Sequence, residues 1–175
     1  MDHGLTMKAP STSFEDEVRR HAGALFRYAF WLARNRQQAE DIVQEAMLRG
    51  WRSFDQVRDP AAAKGWLFSI VKNEFLRATA RDARRTNDVD IDEIEIPDER
   101  TSPFGMDIRD ALMSLPVSYA EPLALQVLGG FSCAEIAAML QTTEGAVMTR
   151  LTRARQALKR LVLSGDANLR QGEKS

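Results

Sequence analysis

The chain has 175 residues, 44% hydrophobic and 28% charged, a composition typical of a globular protein with one ordinary or two small domains. Its 24 Lys and Arg against 25 Asp and Glu give a net charge of −1. One cysteine with two histidines excludes an internal disulfide and a Cys/His zinc cluster. No apolar run reaches the ~20 residues of a membrane span, and the N-terminal residues are not of the signal-peptide kind. We therefore expect a cytoplasmic protein that makes no membrane contact of its own and binds no metal or cofactor. Whether Cys133 has a redox role stays open.

The first half of the chain shows helical periodicity and no strand pattern. Residues 1–13 have no pattern and predict a mobile tail. Apolar residues spaced by three and four predict an amphipathic helix from Phe14 to Ala33. A second helix is predicted from about Arg36 to Phe54, and a third from about Ala61 to Arg84 after the break at Asp59–Pro60.

The second predicted helix has two different faces. One face gathers apolar residues that we expect to be buried: Ala39, Ile42, Val43, Ala46, Met47 and Gly50. The opposite face holds Asp41, Gln44 and Glu45, with Leu48 in its middle. A single exposed leucine is normal on a solvated face. Among carboxylates it also suits docking of a basic, partly apolar helix of a partner.

The third predicted helix carries more than one apolar stripe and a basic end. From Lys72 to Arg85 there are five basic residues and two acidic ones. Aromatic rings between positive charges suit a single strand of nucleic acid. The alternative is that both stripes pack against neighbouring helices, which is the better interpretation for Trp66 and Ile70.

An acidic segment follows, from Thr86 to Pro103. It has seven acidic residues and one basic residue, a net charge of −6, and too few apolar residues for a core. We predict a flexible linker (86–103) between two all-helical domains, at 14–85 and 104–164, with a polar tail at 165–175. The negative charge of the linker offsets the basic ends of the domains and accounts for the nearly neutral net charge of the chain.

The stretch from Phe131 to Val162 predicts a short helix, a turn and a longer helix. Ser132 and Glu135 have the spacing of a capping box, and Thr142 or Thr143 can cap the next helix. On the longer helix an apolar stripe lies opposite a polar face. The stripe consists of Val147, Leu151, Ala154, Leu158 and Leu161, and the polar face of Gly145, Thr149, Thr152, Arg153, Gln156 and Arg160.

This pattern is that of a helix-turn-helix, whose second helix enters the major groove of DNA. Gly145 allows close backbone approach, and Thr149 and Arg153 can reach base edges. Arg150 and Arg155, on the flanks, are suited to phosphates. The alternative is a basic solvated face in a helical bundle.

Three stretches together resemble the extracytoplasmic-function (ECF) sigma factors of the sigma-70 family. The sequence AEDIVQEAMLRGW is similar to their core-polymerase-binding helix, and GWLFSIVKNEFL to the sigma-2 helix that recognises the −10 promoter element. The segment from Leu112 to Leu158 resembles the sigma-4 domain that recognises the −35 element. The resemblance covers about residues 14–163.

The resemblance implies partners and site residues. Asp41, Gln44, Glu45 and Leu48 would face the β′ clamp helices of core RNA polymerase, the β flap would be a second polymerase contact, and an anti-sigma factor is expected. The loop from Phe54 to Gly65 would capture a flipped −10 base. The residues implied at the −10 element are Phe54, Arg58, Lys64, Phe68, Lys72, Asn73 and Arg77. Those implied at the −35 element are Gly145, Met148, Thr149, Arg150, Thr152, Arg153 and Arg155.

Two positions depart from the family pattern. Met148 lies where a Lys or Arg is usual, and Thr152 where an aromatic residue is frequent. The usual −35 sequence is therefore not expected to carry over unchanged: either the promoter differs or the chain depends less on that element.

The sequence thus predicts a promoter-specificity subunit of RNA polymerase and no enzyme, since it shows no Gly-rich phosphate loop, activated nucleophile or metal set. One alternative is a stand-alone helix-turn-helix regulator with an N-terminal dimerisation or effector domain. It does not account for the face from Asp41 to Leu48 or for the acidic linker. Another is a decoy that binds the polymerase or an anti-sigma factor without giving transcripts.

Overall fold

The computed structural model describes residues 13–86, 112 and 114–172, and all regular structure in this part of the chain is helical. The all-α prediction is confirmed. The chain divides into two compact units, Met1–Leu76 and Arg77–Ser175, with the division inside the third helix. The predicted acidic linker, apart from Thr86, and the predicted N-terminal tail, apart from Ser13, lie outside the described residues.

The first two helices begin where a side chain caps the backbone. Helix α1 spans Phe14–Ala33, and the Ser13 hydroxyl accepts a hydrogen bond from the Asp16 amide. Helix α2 spans Arg36–Ser53, and the Asn35 side chain accepts from the Gln38 amide. Such caps satisfy amides that have no partner within the helix. The two-residue connection Arg34–Asn35, in which Arg34 has a φ of 57°, therefore makes a sharp reversal between two closely packed helices.

The loop after α2 contains two short 3-10 turns, Phe54–Gln56 and Pro60–Ala62. The Asp59 carboxylate accepts a hydrogen bond from the Ala61 amide, and Pro60 fits the first position of the turn. Helix α3 then spans Ala63–Thr86. It begins two residues later than the sequence predicts, because the first turn after Pro60 is 3-10 rather than α.

The core of the N-terminal unit is formed by all three helices. The rings of Tyr28 and Phe68, from α1 and α3, pack with centroids 5.2 Å apart. Gly50 of α2 lies against Phe14, where a Cβ atom would come within 2.8 Å of the ring. The other buried apolar residues of this unit are Leu25, Ala29, Ala39, Ile42, Ala46, Ala63, Leu67 and Val71. Four of the six residues predicted for the buried face of α2 are buried, Ala39, Ile42, Ala46 and Gly50, whereas Val43 and Met47 are half-buried.

Two carboxylates are buried in the same unit. Glu74 of α3 lies 2.5 Å from Arg49 Nε of α2, which ties these helices together. Glu17 of α1 accepts a hydrogen bond from Arg20 at 2.7 Å, and its other oxygen lies 3.4 Å from His21 Nε2. Because an unpaired buried charge is costly, these partners are needed for the carboxylates to be tolerated there.

The C-terminal unit contains helices α4 (Val117–Gly129), α5 (Cys133–Met139) and α6 (Glu144–Gly172). Gly130 ends α4 with φ of 67°, a conformation that suits glycine. The helices bury Leu112, Leu115, Ala120, Leu123, Ala124, Leu125, Phe131, Ile136, Ala137, Val147, Leu151 and Ala154. Helix α6 continues to Gly172, beyond the predicted start of the polar tail, because a polar helical end leaves no apolar period in the sequence.

The predicted helix-turn-helix is present in α5 and α6. Ser132 and Glu135 form both hydrogen bonds of the capping box. The turn passes through Gln141, with φ of 52°, and the Thr143 hydroxyl accepts from the Ala146 amide at 3.2 Å. Thr143 is therefore the cap of α6, which the sequence left open between Thr142 and Thr143.

Candidate polymerase-binding and DNA-binding surfaces

The exposed face of α2 has the composition that the sequence predicts. Asp41, Gln44 and Glu45 are exposed, and 54% of Leu48 is accessible. The Gln37 amide donates to the Asp41 carboxylate at 3.3 Å. The face therefore presents an accessible leucine one turn after its carboxylates. This combination can bind a surface that offers both cations and an apolar contact.

Trp51 extends this face and was missed by the sequence analysis. Its side chain is 66% exposed and follows Leu48 by three residues, the spacing of neighbours on a helix surface. Only its three-residue spacing from Leu48 indicated that Trp51 shares this exposed face. A tryptophan at the end of an amphipathic helix is usually assigned to the core instead. We call Asp41, Gln44, Glu45, Leu48 and Trp51 the α2 surface.

The loop predicted to capture a base is anchored by aromatic packing. The Phe54 ring packs on the rings of Phe14 and Trp66, with centroid distances of 5.4 and 6.0 Å. Phe54 is consequently half-buried, whereas Arg58 in the middle of the loop is exposed. The anchored ring fixes one end of the loop, and Arg58 stands free of the core.

Helix α3 separates the predicted −10 residues by burial. Asn73 and Arg77 are exposed, and Lys64 and Lys72 are half-buried. Phe68 is different: its ring is fully buried against Tyr28. The expectation that Phe68 contacts DNA is therefore wrong for the structure described, because this position belongs to the inner of the two stripes. Trp66 and Ile70 are half-buried, in line with their expected packing role.

The polar face of α6 is accessible over its first turns. Its exposed residues are Gly145, Met148, Thr149, Thr152, Arg153, Arg155, Gln156 and Arg160, and Arg150 is half-buried. The residues predicted for the opposite stripe are buried at Val147, Leu151 and Ala154. All seven residues predicted for the −35 element therefore lie at the surface of one helix, with at most partial burial.

Two arginines of α6 are held by α4. The Arg153 guanidinium donates to the Tyr119 hydroxyl at 3.4 Å, and the Arg155 guanidinium donates to the Gln126 side-chain oxygen. The sequence analysis did not find Tyr119 or Gln126, because contacts between residues about thirty positions apart leave no local pattern. These bonds restrict two long side chains before any ligand binds, which lowers the entropy lost on binding.

Gly145 leaves an open position in the first turns of α6. A Cβ atom on Gly145 would meet no atom within 4 Å. The Thr149 hydroxyl donates to the Gly145 carbonyl and the Thr152 hydroxyl to the Met148 carbonyl, both at 2.9 Å. This part of the helix can therefore approach a ligand closely with its backbone.

Within the described residues, no group of three or more His, Cys, Asp and Glu side chains is arranged to hold a metal ion. No helix of the same part of the chain is both long and apolar enough to cross a membrane. Cys133 is half-buried with a free thiol.

The comparison with known families identifies the class of protein. Residues 18–86 match sigma-70 region 2, and residues 105–158 match sigma-70 region 4. The chain is 35% identical over 146 residues to the ECF RNA polymerase sigma factor SigL of Mycobacterium tuberculosis, covering 79% of this chain and 82% of SigL. The chain therefore belongs to the sigma-70 family. Within it, the chain is a member of the ECF RNA polymerase sigma factors.

Other relatives agree in family but differ in length. The ECF sigma factor SigE of Mycolicibacterium smegmatis is 34% identical over 161 residues, which cover 87% of this chain and 62% of SigE. This chain thus spans less than two thirds of SigE. Among solved structures, the sigma factor RpoE of Bartonella quintana, in complex with the anti-sigma factor NepR, is 29% identical with a TM-score of 0.68. The match covers 87% of this chain and 98% of RpoE.

Proposed function

We propose that this chain directs core RNA polymerase to specific promoters and helps to open the −10 region for transcription initiation. The observation that carries the proposal is the presence of two unlike accessible surfaces in the two units. The α2 surface is acidic and apolar, and the α6 face is polar and basic. A protein that reads DNA alone does not require the first of these.

The α2 surface is proposed to dock on the β′ clamp helices of the polymerase. Its carboxylates would steer the encounter with a basic helix, and Leu48 with Trp51 would supply the apolar contact that is desolvated on binding. A further contact with the β flap is proposed for the C-terminal unit.

The −10 element is proposed to contact the loop from Phe54 to Gly65 and the exposed side of α3. Arg58, Lys64, Lys72 and Arg77 supply the cations for the strand backbone. Asn73 is exposed and can hydrogen-bond a base edge. Phe68 is omitted from this site, since its buried ring supports the helix instead.

The −35 element is proposed to bind the first turns of α6 in the major groove. Arg153 and Arg155 are pre-positioned by α4, and Arg150 lies on the flank. Gly145 allows the close approach that base contacts need. The two units together would then recognise two dissimilar DNA elements.

We also propose that the chain is no enzyme, because the polymerase supplies the chemistry, and that it acts in the cytoplasm, where the polymerase and the chromosome are. Control by an anti-sigma factor is proposed from two solved neighbours. RpoE was solved with NepR. CnrH, 25% identical with a TM-score of 0.63, was solved with the cytosolic domain of CnrY, over 86% of this chain and 88% of CnrH.

Two charge substitutions test whether the α2 surface binds core polymerase and α6 binds promoter DNA. Leu48→Asp should abolish binding to core polymerase, because it places a further carboxylate at the centre of the apolar contact. Met148→Asp should leave core binding intact and abolish promoter-specific transcription, because it introduces a negative charge against DNA. Core binding is measured by fluorescence anisotropy and transcription by run-off assay. Unchanged core binding by Leu48→Asp would contradict the proposed docking surface.

A stand-alone dimeric regulator is the second candidate, and a decoy the third. The regulator would bind inverted half-sites without polymerase, whereas a sigma factor requires the polymerase and two dissimilar elements. The decoy would bind core polymerase and yield no transcript. The exposed Leu48 and Trp51 favour a protein partner, which is core polymerase in the first proposal and a second copy of the chain in a dimeric regulator.

A further inference from the structure

The hydroxyl groups on the DNA-facing side of α6 are engaged by the helix itself. Thr149 donates its hydroxyl proton to the Gly145 carbonyl, and Thr152 donates to the Met148 carbonyl, both at 2.9 Å. A threonine hydroxyl has one proton to donate. Neither threonine therefore has a donor left for a DNA base in this arrangement, while its methyl group remains.

Met148 adds a larger apolar group to the same place. Its side chain is 56% exposed, although methionine is usually part of a core or an apolar binding surface. Thr152 follows Met148 by four residues and Thr149 by three. These are the spacings of neighbouring side chains on a helix.

Gly145 completes the arrangement. It precedes Met148 by three residues and Thr149 by four, and a Cβ there would have no neighbour within 4 Å apart from the adjoining residues and the backbone of its own helix. The patch formed by Gly145, Met148, Thr149 and Thr152, here called the methyl patch, thus combines a bare backbone with three apolar groups. Arg153 and Arg155 follow it on the same exposed helix and provide the charged contacts.

In the major groove, thymine alone among the four bases presents a methyl group, and apolar side chains recognise it by contact. We infer that the methyl patch selects thymines in the −35 element through their 5-methyl groups, with Met148 as the principal specificity residue. This inference rests on the proposed function, since it assigns the base preference of that DNA-binding surface. Cytosine would be disfavoured because it lacks the methyl group.

The first test changes only the methyl group of the DNA. A −35 element selected by transcription with core polymerase and the full chain is resynthesised with single thymines replaced by deoxyuridine. At one or more positions, polymerase binding to the promoter should weaken about fourfold, the effect expected for one buried methyl group. Deoxyuridine in the spacer is the control and should have no effect.

The second test identifies the protein side of the contact. With Met148→Ala, the ratio of the affinities for thymine and deoxyuridine at the position that Met148 contacts should fall from about four towards one. The reason is that the thymine methyl group has lost its partner. Thr149→Val keeps a methyl group and loses the hydroxyl, whereas Thr149→Ser keeps the hydroxyl and loses the methyl. Binding should be retained by the valine variant and weakened by the serine variant.

The outcomes separate this inference from the proposed function. Promoter-specific transcription with no deoxyuridine effect at any −35 position, or a selected −35 element without thymine, overturns the methyl patch and leaves the sigma-factor proposal standing. Stronger loss in the valine variant than in the serine variant also overturns it. Absence of any promoter-specific transcription overturns the proposed function itself.

Discussion

At the scale of single residues, the contacts of the buried carboxylates contribute to the stability of the N-terminal unit. Arg49 is the cross-helix partner of Glu74, whose side chain is 3% exposed, whereas Arg36 pairs with the more accessible Glu40 on the surface of α2. The two pairs have similar chemistry but different surroundings. Burial therefore decides how much each contributes.

Replacing Arg49 by Gln should lower the free energy of unfolding by about 1–3 kcal/mol, because it removes the guanidinium that pairs with the buried Glu74 carboxylate. The matched change Arg36→Gln should cost less than about 0.5 kcal/mol. Urea denaturation followed by circular dichroism measures both. Equal effects of the two substitutions would show that Glu74 does not depend on Arg49.

His21 makes stability depend on pH. Burial lowers its pKa from the ordinary value of 6.5; Glu17 opposes this shift, and Lys64 and Arg20 reinforce it. The unfolded chain therefore takes up the proton at a higher pH than the folded one. The contribution to stability is complete above the unfolded pKa and is lost as the pH falls from there through the lower folded pKa.

The free energy of unfolding should consequently fall as the pH is lowered from about 7.5 through 6.5 and further, and His21→Gln should reduce that fall. Thermal or urea denaturation across this range gives the comparison. An identical pH dependence in the variant would mean that another group is responsible.

At the scale of the elements, the close packing of α2 depends on Gly50. An added Cβ atom would lie 2.8 Å from Phe14, whose ring also packs on Phe54. Gly23 in α1 is the matched control, because its added Cβ would meet only the end of the Arg27 side chain, at 3.3 Å.

Gly50→Ala should therefore destabilise the protein by about 1–3 kcal/mol through overpacking. Gly23→Ala should stabilise it by about 0.5–1 kcal/mol, the usual gain of alanine over glycine inside a helix. Differential scanning calorimetry measures both shifts. A stabilising Gly50→Ala would mean that Phe14 moves aside at no cost.

Elements with one apolar face could be predicted from the sequence. Helix α2 and the first half of α6 have a single stripe, so most of their buried residues followed from the helical period, although exposed Trp51 did not. Helix α3 has two stripes, and the period alone did not show that Phe68 belongs to the inner one. The contacts of Tyr119 and Gln126 with the α6 arginines depend on tertiary packing. Local sequence patterns therefore could not predict these contacts.

At the scale of the whole molecule, we expect the charge balance to limit binding to free DNA. The net charge of −1 includes seven carboxylates between residues 86 and 103. Replacing all seven by their amides would change the net charge from −1 to +6, since each substitution adds one unit. Long-range attraction to DNA phosphates should rise accordingly.

This seven-amide variant should bind non-specific duplex DNA more tightly than the native chain at low salt, and the difference should shrink as salt is added. Fluorescence anisotropy over a salt series measures it. Equal affinities at low salt would show that these carboxylates do not restrain DNA binding.

The central claim is that this chain makes core RNA polymerase promoter-specific. The most direct measurement is in-vitro transcription by core polymerase with the full chain on a library of random promoters, followed by sequencing of the transcripts. We expect start sites downstream of a shared element in two dissimilar parts, and none of this enrichment with Leu48→Asp. Transcripts without a shared element, or no transcripts although the chain binds core polymerase, would contradict the account.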